Sequence, residues 1–299
     1  MVSFEGRVAI VTGAGGGLGR EHALLLASRG ASVVVNDLGG SVSGEGSDAS
    51  AADVVVAEIQ AAGGTAIAEH SSVADPAGGE AIVARALDEF GHLDIVINNA
   101  GILRDKSFAN MTPEFLHPVL DVHLRGAFYV TRPAFAHMKE RGYGRILFTS
   151  SGSGLMGNFG QANYGAAKMG MIGLMNVLRI EGARYDIRVN AVAPIALTRM
   201  TKGLFDGAVD LFAPEQVSPA VAYLVSEDCE LTGEIWSVGG GSVSRFFIGL
   251  TDGYVKHPDN GALTIEDVAS NLDVIRDETD YIVPFSSQDE FGKLGPRLR

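Results

Sequence analysis

Residues 7–19 read RVAIVTGAGGGLG, and the fold turns on this stretch. Arg7–Thr12 is a β-branched apolar run of the length of a buried strand. It passes directly into glycines at 13, 17 and 19, the spacing G-x-x-x-G-x-G. A helical pattern over Leu18–Arg29 follows. Strand, glycine turn and helix in this order form a phosphate cradle. Side chains on the turn would hold the backbone away from a pyrophosphate, and the helix aims its first amides at the same anion.

Working outward, the same alternation continues. Ser32–Asn36, Thr65–Glu69, Leu93–Asn98, Arg145–Thr149, Ile187–Ala191 and Ile235–Val238 read as further strands. Ala51–Ala62, Pro76–Phe90, Pro113–Lys139, Ala162–Tyr185 and Pro214–Ser226 read as helices. The expected fold class is therefore α/β, a Rossmann-like, doubly wound parallel sheet of about seven strands with helices on both faces. Leu38–Ser50 (LGGSVSGEGSDAS) is a Gly/Ser-rich loop after the second strand. Beyond Val243 no strand–helix pair is visible, only one helix over Ile265–Asp277 opened by Thr264 with Asp267 three residues on. The expected division is a dinucleotide-binding domain over 1–242 and a C-terminal extension over 243–299, packed on the same domain or on a dimer partner.

With 46% hydrophobic and 20% charged residues, the 299-residue chain suits a large core. A net charge of −13 opposes a nucleic-acid partner, which needs a basic surface. Cys229 is the single cysteine and supports neither a disulfide nor a zinc site, and no metal is expected. MVSFEGRVAIVTG shows no charged leader before a long apolar run, GPRLR is not the Ser-Lys-Leu address, and no eighteen-residue apolar stretch occurs. A cytoplasmic protein without a membrane span is the expectation.

Asp37 ends the second strand, 24 residues beyond Gly13. In a dinucleotide fold an acid there accepts from the adenosine ribose hydroxyls and repels a 2′-phosphate. No Arg or Lys lies between Arg29 and Arg85 to offset it, so NAD is favoured over NADP. The fourth strand ends in Asn98-Asn99-Ala100-Gly101 and the fifth in Thr149-Ser150-Ser151. Tyr164 and Lys168 follow at i and i+4 on one helix face. An ammonium beside a phenol is expected to lower the phenol's pKa and make a base for an alcohol proton, with Ser151 bonding the substrate oxygen.

The sequence TGxxxGxG, NNAG, Ser and YxxxK, in that order, resembles the short-chain dehydrogenase/reductase family from about Val8 to Gly241. VVVNDLGG, NNAGILRD, VHLRG and GNFGQANYGAAK resemble its (3R)-hydroxyacyl-CoA dehydrogenase branch, and Val238–Val268 resembles the extension that follows the fold there. The resemblance implies Ser151, Tyr164 and Lys168 as catalytic, with His123 where the broad family has Asn. It implies NAD against Gly13, Gly17, Leu18, Gly19, Asp37, Ser72, Val73, Asn99, Ala100, Gly101, Tyr164, Lys168, Pro194, Ala196 and Thr198. Ser72-Val73 replaces the usual Asp-Val, and Pro194-Ile195 the usual Pro-Gly, which puts a glycine-dependent backbone in question. The substrate expected is an acyl-CoA or steroid-like alcohol, with an acyl-carrier thioester reductase or a non-catalytic NAD-binding scaffold as alternatives. Ser151, Arg104 and Lys202 are expected at the substrate, the last two as local cations for CoA phosphates on an acidic chain. A homodimer or homotetramer through the helices near 113–139 and 162–185 is also implied.

Overall fold

A computed structural model of the chain describes residues 1–198 and 209–298. It contains two compact units, Met1–Arg245 and Phe246–Arg299.

Strands β1 (Val8–Thr12), β2 (Ser32–Asn36), β3 (Thr65–Glu69), β4 (Ile95–Asn98), β5 (Gly144–Thr149), β6 (Ile187–Pro194) and β7 (Ile235–Gly239) pair in the order 3-2-1-4-5-6-7. Each adjacent pair is parallel, with Val11 opposite both Val35 and Ile97. Strands such as Val8–Thr12 are buried along their whole length, which is why they are apolar on both faces instead of alternating. The chain reverses direction across the sheet between β1 and β4, and the carboxyl ends of those two strands open the crevice where ligands of such sheets bind.

The sequence does not announce the eighth strand, β8 (Ser242–Phe246). It is exposed on both sides and so has no hydrophobic period. Gly240 and Gly241, both at positive φ, form the two-residue loop from β7, and a loop that short returns the chain antiparallel.

Helices α1 (Gly17–Ser28), α2 (Ser50–Ala61) and α3 (Pro76–Phe90) fall where the pattern places them, α3 with Asp75 capping Ala77 N and Pro76 at its first position. The stretch expected as one helix over Pro113–Lys139 is helical throughout but not regular. α4 (Pro113–Leu120) and α5 (Gly126–Arg141) are separated by a single π-helical turn, Asp121–Arg125, centred on His123. Such turns carry one extra residue and concentrate at functional sites. A four-residue helix, α6 (Gly152–Leu155), follows β5 directly, and then come α7 (Ala162–Gly182) and the short α8 (Ser218–Leu224).

The second unit holds more structure than its sequence suggests. The expected helix over Ile265–Asp277 is two pieces, α9 (Ile265–Ser270) and α10 (Leu272–Ile275), broken at Asn271. The capping box of Thr264 and Asp267 is present. β9 (Leu250–Thr251) and β10 (Tyr281–Ile282) pair antiparallel, and α11 (Ser287–Leu294) closes the unit. Lys293 donates to Leu250 O at 3.0 Å and ion-pairs with Asp252 at 3.0 Å.

Candidate active site

The glycine turn is laced to the end of β4 before any ligand arrives. Asn99 Nδ2 donates to Thr12 O (3.0 Å) and Gly13 O (3.1 Å), and Thr12 Oγ1 accepts from the amides of Asn99 and Ala100, both at 3.1 Å. That lacing explains two glycines. A Cβ on Gly13 would stand 2.7 Å from Ala100 Cα, and one on Gly19 would stand 2.3 Å from Gly13 O. These two are demanded by backbone packing at least as much as by a phosphate. Asn99, expected at the cofactor, also spends its amide on the turn.

Above the turn lies an open cleft of about 400 Å³. Ten of the residues expected at the cofactor line it: Gly13, Gly17, Leu18, Asp37, Ser72, Val73, Asn99, Ala100, Gly101 and Thr198. Gly19, Pro194, Ala196, Tyr164 and Lys168 do not. Asn36, the loop residues Leu38, Gly40, Ser41, Val42 and Gly44, and Pro118, Asp121 and Val122 contribute lining that sequence reasoning missed. The loop carries no apolar period and the Pro118–Val122 wall comes from a helix that reads as continuous, so neither has a signal in sequence.

The cleft suits a dinucleotide. α1 begins without a side-chain cap and without an acid in its first turn, so its amides and positive end stay available to an anion. The Asp37 carboxylate accepts from Gly15 N and Gly39 N, both at 2.7 Å, and so is held at the cleft wall. Ile195, in place of the usual glycine, is unstrained. It extends the β6–β7 pairing through Ile195 N to Val238 O (2.8 Å), and among the described residues the only non-glycine at positive φ is Asp186.

Ser151, Tyr164 and Lys168 come together at the adjoining end of β5. Ser151 caps α6, its Oγ accepting from Ser153 N at 3.2 Å, and it hydrogen-bonds the Tyr164 phenol. Asn163 fixes the start of α7 by donating to Arg104 O and Phe115 O, both 2.8 Å. Lys168 is buried, and its Nζ donates to Thr149 O at 2.5 Å while lying 5.4 Å from the Tyr164 ring centre. The expected depression of the tyrosine pKa is not found. Burial pushes the Tyr164 phenol above its ordinary value of 10, against the lowering effect of the Ser151 bond, and Asp105 raises it further. Burial lowers Lys168 to about 7, so its charge is partly lost near neutrality. Spacing on a helix brought the two side chains near each other but did not reveal how dry the site is.

His123 lies beneath them, its ring edge-on to Tyr164 with centres 5.1 Å apart. Burial and the nearby Lys168 charge hold its pKa well below the ordinary imidazole value, so the ring is neutral. Nε2 sits 3.0 Å from Ile102 N and 2.8 Å from Ile102 O, and the proton's location decides which bond forms. Gly101 makes room for it: a Cβ there would come within 2.3 Å of His123 Cε1.

Arg104 is not an open cation. Its Nε donates to Ser43 O (2.8 Å) and its Nη1 to Glu114 O (3.1 Å). Lys202, the other expected phosphate contact, lies outside the described residues. Among the described residues no cluster of metal-ligating side chains occurs, and no helix is long and apolar enough to cross a membrane.

Comparison with known proteins identifies the class. The family description "short chain dehydrogenase" matches residues 7–208. The chain belongs to the short-chain dehydrogenase family and is an oxidoreductase, from a family that generally uses NAD or NADP. It is 49% identical over 292 residues to mouse peroxisomal multifunctional enzyme type 2, covering 97% of this chain and 39% of that protein. It is 50% identical to a short-chain type dehydrogenase/reductase of Mycobacterium tuberculosis, covering 93% of this chain and 96% of that one. The full-length Drosophila melanogaster multifunctional enzyme superposes with a TM-score of 0.84 at 39% identity, over 99% of this chain and 50% of that one. The chain thus spans well under two thirds of the multifunctional enzymes and nearly the whole of the mycobacterial protein.

Proposed function

We propose that the protein oxidises a (3R)-3-hydroxyacyl-CoA to the 3-oxoacyl-CoA with NAD as acceptor. The observation that carries this reading is the convergence of Ser151, Tyr164 and Lys168 beside a cleft walled by Asp37. Bound NAD would be held by the α1 amides, the glycine turn and Asp37, and it would supply the hydride acceptor. Ser151 binds and orients the substrate oxygen, and Tyr164 takes the hydroxyl proton. His123 positions the Ile102 backbone under the site.

The raised tyrosine and lowered lysine bear on that proton. Above about pH 7 the pair holds one proton, resting on Tyr164. Moving it to Lys168 gives phenolate and ammonium with no exchange with solvent, and the phenolate is the base that oxidation needs. In the reverse direction the resting phenol already serves as the acid.

Two features support the substrate and cofactor choices. The relatives named as multifunctional enzymes share nearly this whole chain, and no Arg or Lys lies between Arg29 and Arg85 in sequence to offset a 2′-phosphate beside Asp37. Turnover of 3-hydroxyacyl-CoA and hydroxysteroid panels with each dinucleotide tests both. We expect acyl-CoA turnover with NAD at least tenfold above NADP, and Asp37→Ser to narrow that ratio. Steroid preference, equal use of NADP, or dinucleotide binding without turnover would each overturn the corresponding part.

We further propose a homodimer through α5 and α7. Met169, Val177 and Ile180 on α7 are exposed along one stripe with Gly173, and Phe128 on α5 is exposed as well. Sedimentation velocity is expected to show a dimer at micromolar concentration that Val177→Glu dissociates. A wild-type monomer there rules the proposal out. The mouse and fly relatives are peroxisomal by name, so they lend no support to the cytoplasmic expectation.

A further inference from the structure

The loop between β2 and α2 is not the loose tether its composition implies. It folds on itself through Ser41 N to Glu45 O (2.9 Å), Gly44 N to Ser41 O (2.9 Å) and Asp48 N to Leu38 O (3.1 Å). Leu38, Gly40, Ser41, Val42 and Gly44 form one wall of the cleft, on the side where Asp37 stands. A separate segment fastens it there. Leu103 N donates to Val42 O at 2.9 Å, Arg104 Nε donates to Ser43 O at 2.8 Å, and Gly44 packs so closely on Ile102 that a Cβ would come within 2.9 Å of its Cδ1.

The fastening segment is itself rigidly held. Asn163 Nδ2 binds Arg104 O at 2.8 Å, Lys106 N donates to Gly160 O at 2.8 Å, and Gln161 Nε2 donates to Asp105 Oδ2 at 2.8 Å. Arg104 thus reaches from the well-braced substrate side of the site to the loop on the other. A guanidinium donating to carbonyls makes strong, charge-assisted bonds, and its planar donor set holds both Ser43 O and Glu114 O.

We propose that Arg104 is a positioning residue for the dinucleotide, a clasp that holds the 38–50 loop shut over the adenosine end of the cleft. The inference rests on the dinucleotide reading above and replaces the expectation that this cation reads CoA phosphates. With the clasp removed, the loop loses its tie to the body and the adenosine half loses a wall, while the nicotinamide half keeps its surroundings.

The test uses the full chain with three probes: NADH, ADP-ribose and nicotinamide mononucleotide. Arg104→Met keeps the length of the side chain and removes its donors. We expect the Kd for NADH and that for ADP-ribose to rise together by about tenfold, from the loss of charge-assisted bonds. NADH dissociation in stopped flow should speed up in proportion, and inhibition by nicotinamide mononucleotide should not change. A general loss of structure would weaken all three probes alike and overturn the proposal. An unchanged ADP-ribose Kd with a raised KM for the CoA thioester would return Arg104 to the substrate and also overturn it. If Arg104→Met does not fold, Gly44→Ala lifts the same loop from its own side and is expected to give the same split. Failure of the wild type to bind NADH would instead remove the dinucleotide reading itself.

Discussion

Tyr164→Phe is expected to lower kcat about a thousandfold while leaving the Kd for NADH within twofold of wild type. The change removes one oxygen. That oxygen accepts the substrate proton in the proposed reaction and bonds Ser151 at rest, and it lies outside the lining of the dinucleotide cleft. The pH profile sharpens the test. Below about pH 7 both Lys168 and Tyr164 carry their protons, and the pair has no place for the substrate's. As pH rises through about 7, Lys168 gives one up and that place opens. Wild-type kcat/KM for oxidation should therefore climb through this region, and the residual activity of Tyr164→Phe should not. A flat wild-type profile between pH 6 and 8, or a variant that keeps more than a tenth of the activity, would remove Tyr164 from the proton transfer.

The second large effect is on stability in acid. His22 on α1 is fully buried against α8, with Nδ1 2.8 Å from Ser218 Oγ and Nε2 lacking a hydrogen-bond partner. Burial depresses it from 6.5 to about 3. In the unfolded chain it takes a proton as pH falls through 6.5, but in the folded chain only near 3. Its contribution is therefore complete above about pH 6.5 and is lost progressively as pH falls toward 3. The slope is about 1.4 kcal/mol per pH unit for the one group. His123, depressed in the same direction, adds to it. Denaturant unfolding should show at least this slope as pH falls from about 6.5 to 4.5, and His22→Gln should flatten it by about one proton. An identical slope in the variant would assign the acid sensitivity to other groups.

The parts of this architecture that were legible in sequence share one property: their residues see the same environment along their whole length. Strands such as Val8–Thr12 and Ser32–Asn36 are buried on both faces, so an unbroken β-branched run marks them. β8 faces solvent on both sides and leaves no mark. Tyr164 and Lys168 were legible as neighbours because helix spacing fixes which side chains share a face. Their protonation was not, because it depends on how deeply the fold buries them. The partners of Arg104 were hidden for a related reason. Its partners are backbone carbonyls of residues 43 and 114, and a carbonyl acceptor has no residue type.

The π-helical turn at Asp121–Arg125 also divides the polypeptide into two phases. An α-helix advances about 100° per residue, so one surplus residue rotates everything downstream by that angle relative to everything upstream. The face of α4 that walls the cleft at Pro118 and the face of α5 that exposes Phe128 are thereby set independently. Deleting one residue inside the turn would restore a regular helix. It would also swing either the cleft wall or the outer face out of alignment and draw the His123 ring away from the Ile102 backbone. The surplus residue acts as a phase shifter, letting one continuous stretch of chain line a cleft on one side and present an exposed aromatic ring on another.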